Sequence, residues 1–214
     1  MIPAMPRDLK PKKREEHEVE FSRIVAFSDG VFSIAITLLV LELALDSGLK
    51  TDSAIWHNLW EQHEKFLAYA ISFAVIARFW LVHHQFFSEV KAFNGRLIGL
   101  NMLYLAFIVL IPFSSQVLGE YGGTLPAVVV YSVNLAAVIL IGQWMRWDAR
   151  RADLTTTDAE TAREDFITSV FIAGVFLLSI VIALFSPSLA PWIWLALFFE
   201  GRGHVIERLS RRTS

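Results

Sequence analysis

Five apolar runs, each about 20 residues long or longer, decide most of what this chain can become. They lie at about 24–45, 66–87, 97–118, 125–145 and 166–185. A helix needs about 20 mostly apolar residues to cross a bilayer. None of the runs alternates polar with apolar, and all exceed the length of a barrel strand. The expected fold is therefore all-α, a polytopic membrane protein. The composition agrees: 55% of the residues are hydrophobic and the mean hydropathy is +0.49, where soluble domains hold roughly 45–50% apolar residues. A sixth candidate follows the turn "SPSLAP". It is apolar over "WIWLALFF" and then meets Glu200, Gly201 and Arg202, which suits a short spanning or partly interfacial helix.

The charges orient the runs. Of the 19 lysines and arginines, all but Lys50, Lys65 and Arg78 fall on one side if the N-terminus and every second loop share that side. The positive-inside rule makes it the cytoplasmic side. Both termini are then cytoplasmic, which requires an even number of spans, so six is expected rather than five. The first 21 residues are charged and lack the apolar core of a cleaved leader, so the first span is expected to be retained. No connecting loop is long enough for a soluble domain. The expectation is a single domain over 1–214, with a cytoplasmic segment at 1–21 and a cytoplasmic tail at 203–214. In the loop "DLTTTDAETARED", Thr157 is the expected cap of a helix containing Ala159 and Glu160. There is no cysteine, so thiolate chemistry is excluded.

The first span has contents unsuited to plain lipid contact. "RIVAFSDGVFSIAITLLVLEL" at 23–43 carries Ser28, Asp29, Ser33, Thr37 and Glu42. A charged Asp in the hydrocarbon costs about 2.5–3.5 kcal/mol even on the lenient insertion scale. The topology places Ser28 and Asp29 of span 1, Arg78, His83 and His84 of span 2, and Asn101 of span 3 toward one leaflet, with Asn94 in the loop before span 3. Such convergence suits a buried polar network in which each member satisfies another. Asp29 is expected to meet Arg78 or His84. His83 is read as an interfacial or core histidine, and Asn101 also suits a simple interhelical hydrogen bond. No metal site is expected, because adjacent histidines on a helix point about 100° apart.

Span 1 also has a distinct apolar face. At 100° per residue, Ile34, Leu38, Leu41 and Leu45 fall within about 60° of one another, with Thr37 and Gly30 at the margin. Asp29 sits about 140° from Ile34. Around an axis, such a face makes rings of large aliphatic side chains, a hydrophobic constriction.

Arg23, "AFSDG" at 26–30 and "IAITLLVLEL" at 34–43 together resemble the signature of the transmembrane protein 175 potassium channel family. "WLVHHQFF" at 80–87 and "LNMLYLAFIVLIPFSS" at 100–115 resemble that family's second and third helices. The resemblance covers roughly residues 20–118 by motif, and the later helices by number and hydropathy alone. It implies a potassium-permeable channel in a prokaryotic plasma membrane. Prokaryotic members carry one six-helix unit and assemble as homotetramers; animal relatives carry two units, and this chain has one "FSDG". The pore is then lined by the first helix, with a constriction at Ile34, Leu38 and Leu41 and a selectivity-associated hydroxyl at Thr37. The motif residues Arg23, Phe27, Ser28 and Asp29, with Arg78, His84 and Asn101, make up the implied network packing that helix against the next two. The chain has no "TVGYG" filter; "LGEYGG" at 118–123 reads as a turn. The implied partners are K+, membrane lipids and three further copies, with no cofactor and no nucleic acid.

The main alternative is a proton- or ion-coupled secondary transporter, for which intramembrane Asp and His are typical. Transporters usually show internal repeats and helices broken near the midplane. No repeat is evident, and Pro112 is expected to lie toward the outer end of span 3. An enzyme is not expected, since no Gly-x-Ser-x-Gly, His-Glu-x-x-His or convincingly spaced carboxylate pair is present.

Overall fold

The computed structural model describes residues 11–44, 47–48 and 50–195 of the chain. Five helical stretches among them are long and apolar enough to cross a membrane: Glu18–Glu42, His63–Glu89, Gly95–Tyr121, Leu125–Arg151 and Ala159–Ala183. They match the five expected runs. Leu45, residues 196–199 of the sixth run and the tail at 203–214 lie outside the described residues. What is described of the sixth run is a 3-10 helix, Ala190–Leu195. Its Trp194 is buried against the rings of Tyr131 and Phe176, at 5.1 and 5.7 Å.

Helix α1 (Glu18–Leu38) starts earlier than the apolar run, with Glu18 and Glu20 in its first turn where the helix dipole favours negative charge. It tightens into a 3-10 turn over Leu39–Glu42. Just before the change, the Thr37 hydroxyl donates to the carbonyls of Ser33 and Ile34, both at 2.9 Å. The loop between the first two spans contains a short helix, α2 (Asp52–Glu61), capped by Thr51. Its Trp56 and Trp60 are exposed, as aromatic side chains at a membrane surface often are. Helix α3 (His63–Glu89) is the second span.

The third span is two helices, α4 (Gly95–Val109) and α5 (Ile111–Tyr121). Pro112 has no N–H for the carbonyl of Ile108, and its ring crowds that carbonyl. The helix therefore breaks at Leu110, just past the middle of the span rather than at its outer end. The Leu110 N–H turns to the Ile108 carbonyl, and Ser114 adds polar contacts beside the break, as broken membrane helices require. Ser114 donates to the Ile111 carbonyl at 3.0 Å and accepts from Asn134 at 3.2 Å.

Helix α6 (Leu125–Arg151) is the centre of the bundle and packs against α4, α5 and α7 (Ala159–Ala183). Its Tyr131, Leu135 and Val138 are fully buried. A Cβ added at Gly142 would lie 3.1 Å from the Tyr104 ring, so glycine permits the close approach of α4. The cap of α7 is Asp158, not Thr157. The Asp158 carboxylate accepts from the backbone of Glu160 and Thr161 at 2.9 Å and from the Thr161 hydroxyl. Thr157 instead donates to Glu89 at 2.6 Å.

The end of the bundle where α1 begins is bound together by backbone. Strand β1 (Lys12–Lys13) pairs antiparallel with β2 (Ala92–Phe93). Lys91 N–H donates to the Leu154 carbonyl at 2.9 Å, tying in the loop between α6 and α7. Beneath this, Phe21, Phe86, Phe87, Phe93, Leu97 and Leu154 form a small core of their own. The start of α1 is thus pinned to both neighbouring loops.

Candidate functional site

Helix α1 has two faces that run its whole length. Phe21, Ser28, Phe32, Ala35 and Leu39 are buried, at the three- and four-residue spacing of one side of a helix. The opposite strip carries Arg23, Ala26, Phe27, Gly30, Ile34, Thr37, Leu38 and Leu41, all exposed on the single chain. Ile34 is 59% and Leu41 72% exposed, and Leu38 38%. The three residues expected at a constriction and the hydroxyl of Thr37 therefore share one face that no described residue covers. Arg23 and Phe27, grouped by motif with the polar network, lie on this strip.

The buried face is held by a chain of hydrogen bonds across α1, α3 and α4. His83 Nε2 lies 2.8 Å from Asn101 Oδ1, Asn101 Nδ2 donates to Ser28 Oγ at 3.0 Å, and Ser28 Oγ donates to the Ile24 carbonyl at 3.0 Å. Direction follows from the last bond. Ser28 has one proton and gives it to Ile24, so Asn101 must offer its NH2 to Ser28 and its oxygen to a protonated His83 Nε2. All three side chains are buried. The His83 ring also stacks on Phe87 at 4.5 Å and Tyr104 at 5.6 Å, and meets Phe32 at 5.3 Å.

Asp29 does not pair with Arg78 or His84. Its Oδ1 accepts from the indole Nε1 of Trp80 at 2.9 Å. Trp80 in turn stacks on His84 at 5.5 Å, and His84 is exposed within the subunit. Arg78 is exposed on α3, in the electrostatic field of Arg146 and Asp165. Sequence reasoning left out Trp80 and placed His83 beside the network, although it is the member that closes it. Asn94 caps α4, its Oδ1 accepting from Leu97 N–H at 2.9 Å.

A further polar contact lies toward the far end of α1. Ser115 Oγ donates to Glu42 Oε2 at 3.0 Å, and Glu42 Oε1 is buried with no hydrogen bond among the described residues. Helix α1 is therefore fixed by apolar packing at Phe21 and by Asn101 at Ser28, and the 3-10 turn that continues it by α5 at Glu42.

A bundle of five helices long and apolar enough to cross a membrane, whose first helix is bonded to its neighbours on one side and exposed among the described residues on the other, defines a polytopic membrane protein. Comparison with known proteins narrows this. A family model described as endosomal/lysosomal potassium channel TMEM175 matches residues 23–112. A potassium channel of Streptomyces collinus is 38% identical over 62% of this chain and 66% of its own length. A potassium channel of Chamaesiphon minutus is 31% identical over 86% of this chain and 96% of its own length. The crystal structure of a lysosomal potassium-selective channel TMEM175 homolog from Chamaesiphon minutus superposes with a TM-score of 0.71, at 30% identity, over 87% of this chain and 100% of that one. The chain belongs to the TMEM175 family of potassium channels. That family consists of ion channels rather than enzymes and calls for no cofactor.

Proposed function

We infer that the protein is a potassium-permeable cation channel of the plasma membrane, a parallel homotetramer with both termini in the cytoplasm and α1 of each subunit facing the axis. The observation that carries this reading is the bare strip of α1, where Ile34, Leu38 and Leu41 repeat at helical spacing beside Thr37. One copy of such a strip cannot enclose a pathway, and closed cyclic symmetry is the usual solution.

The chemistry of the strip suits selection by hydration. A narrow aliphatic ring excludes water, so an ion passing it must shed hydration without compensating ligands. K+ gives up its shell more readily than Na+. Thr37 adds a specific feature. Its proton is engaged by the Ser33 and Ile34 carbonyls, which leaves the hydroxyl lone pairs as the outward-facing part of the group. A cation at that level meets acceptors and no donor.

The transporter reading has one observation in its favour, the helix break at Leu110 near mid-span. Against it, no internal repeat is evident, and Asn134 beside the break spends its amide on Ser114 at 3.2 Å, so only its oxygen is left unbonded there. Reconstitution into planar bilayers, with K+ on one side and Na+ on the other, tests the proposal. Unitary currents reversing toward the K+ potential are expected, from protein that native mass spectrometry shows as four copies. Slow, saturable flux without unitary events, or a dimer as the conducting species, refutes it.

A further inference from the structure

Between α6 and α7, at the end of the bundle that carries β1 and β2, lies an open cleft of about 230 Å³. Three arginines line it: Arg146 and Arg150, one helical turn apart on α6, and Arg163 on α7. Arg146 is held in place, donating to the Val82 carbonyl at 3.2 Å with its guanidinium 5.8 Å above the Phe86 ring. Arg150 and Arg163 are exposed, and among the described residues neither makes a hydrogen bond or an ion pair. Asp165 is the acidic member of the lining and lies in the field of Arg78. The cleft is therefore positive, with two guanidinium groups whose donors are unspent.

Its surroundings separate a lipid from a dissolved anion. Trp147 and Phe166 line the cleft and are 50% and 52% exposed. Beyond them, toward the middle of the bundle, α6 and α7 expose Trp144, Ile167, Val170 and Phe171. Gln143 of the lining is engaged, accepting from Ser169 of α7 at 3.3 Å. A basic cleft thus adjoins an aromatic and then aliphatic exposed surface on the apolar stretches of α6 and α7. A molecule that satisfies both parts has a phosphate at one end and hydrocarbon at the other. Basic pockets between membrane helices on the cytoplasmic side are a recurrent means of holding anionic headgroups, and guanidinium groups suit phosphate oxygens by their fork geometry.

We propose that the cleft formed by Arg146, Arg150 and Arg163 binds the phosphate of an anionic phospholipid, whose chains lie along Trp147, Phe166 and the exposed α6–α7 surface. The proposal rests on the topology given above for its assignment to the inner leaflet, and does not depend on permeation.

The test uses delipidated full-length protein in neutral detergent. It is titrated with phosphatidylglycerol, with phosphatidylcholine of the same chains, or with inorganic phosphate, and binding is read by native mass spectrometry and thermal shift. Phosphatidylglycerol should bind and stabilise in preference to phosphatidylcholine, and phosphate alone should do neither. Arg150→Gln with Arg163→Gln should weaken phosphatidylglycerol binding by about tenfold or more, at roughly the worth of two basic residues near a membrane surface. Ala162→Glu keeps both arginines and puts a carboxylate into the cleft, and should give a similar loss. Lys50→Gln with Lys65→Gln removes equal charge from the other end and should change nothing. Equal binding by wild type and the arginine double variant overturns the proposal. So does stabilisation by phosphate matching that by lipid, which would make the cleft a site for a soluble anion. Binding is read without ion flux, so failure of the protein to conduct would leave these results unaffected.

Discussion

His83 Nε2 and Asn101 Oδ1 are 2.8 Å apart inside the subunit, on helices separated by a tight loop, and each has its second partner already assigned. Asn101 gives its amide to Ser28, and the His83 ring is held between Phe87 and Tyr104. The pair fixes three helices to one another at a single depth.

Asn101→Ala should therefore be costly. It leaves the His83 N–H and the Ser28 oxygen without their partner, at about 1–3 kcal/mol for a buried group. Ser28→Ala should cost less, because membrane interhelical hydrogen bonds average nearer 0.6 kcal/mol in double-mutant cycles. The check is thermal unfolding of the purified protein. If Asn101→Ala and wild type melt together, the network contributes nothing to the fold.

The Asp29–Trp80 bond predicts a coupled pair. Asp29→Ala and Trp80→Phe should each lower stability by about 1 kcal/mol, and the double variant should lose little more than either single one. Asp29→Asn keeps an acceptor for the indole and should be milder. A double-mutant cycle on melting temperature decides it. Normal stability of Asp29→Ala with altered ion selectivity would instead place the carboxylate in the ion path.

Ile34 and Ile36 separate the two faces of α1. Ile34 is bare, whereas Ile36 is partly buried and packs on the central core. Ile34→Asn should wet the narrow ring, raise conductance and weaken discrimination of K+ from Na+. Ile36→Asn should reduce the yield of folded protein and leave the conductance of what survives nearly unchanged. Recordings from both variants are needed, and identical currents from wild type and Ile34→Asn would remove α1 from the pore.

Acid should loosen the start of α7. The backbone N–H of Thr161 and then its hydroxyl, with the N–H of Glu160, hold the Asp158 carboxyl below the usual carboxylate range. A group with a depressed folded pKa stabilises above its unfolded value, about 3.9, and that contribution is lost as pH falls through the lower folded value. The melting difference between wild type and Asp158→Ala should be full at neutral pH and shrink below about pH 4. Asp158→Asn should cap without pH dependence. A difference constant from pH 7 to pH 3 would contradict the assignment.

Hydropathy located the five described spans because burial in lipid acts on every residue of a run at once. It missed what depends on phase or on single atoms. Residues 18–22 extend α1 because glutamates suit its first turn, though they carry no apolar signal. His83 and His84 differ by 100° on one helix, and nothing in the sequence says which faces inward. Trp80 escaped notice as a partner for Asp29 because its one polar atom is hidden within an apolar side chain on any hydropathy scale. Thr157 and Asp158 both suit a cap, and geometry chose the carboxylate, which reaches two amides where a hydroxyl reaches one.

The attachments of α1 also bear on mechanics. Ser28 and Glu42 are about 20 Å apart along the axis, and each is bonded to a different partner, with Phe21 wedged among aromatic rings below them. A rod pinned at three heights can neither slide nor swing on its own. In the proposed assembly, a change in bore at Ile34 then comes from rotation of its side chains, or from each copy of the chain leaning as one rigid piece.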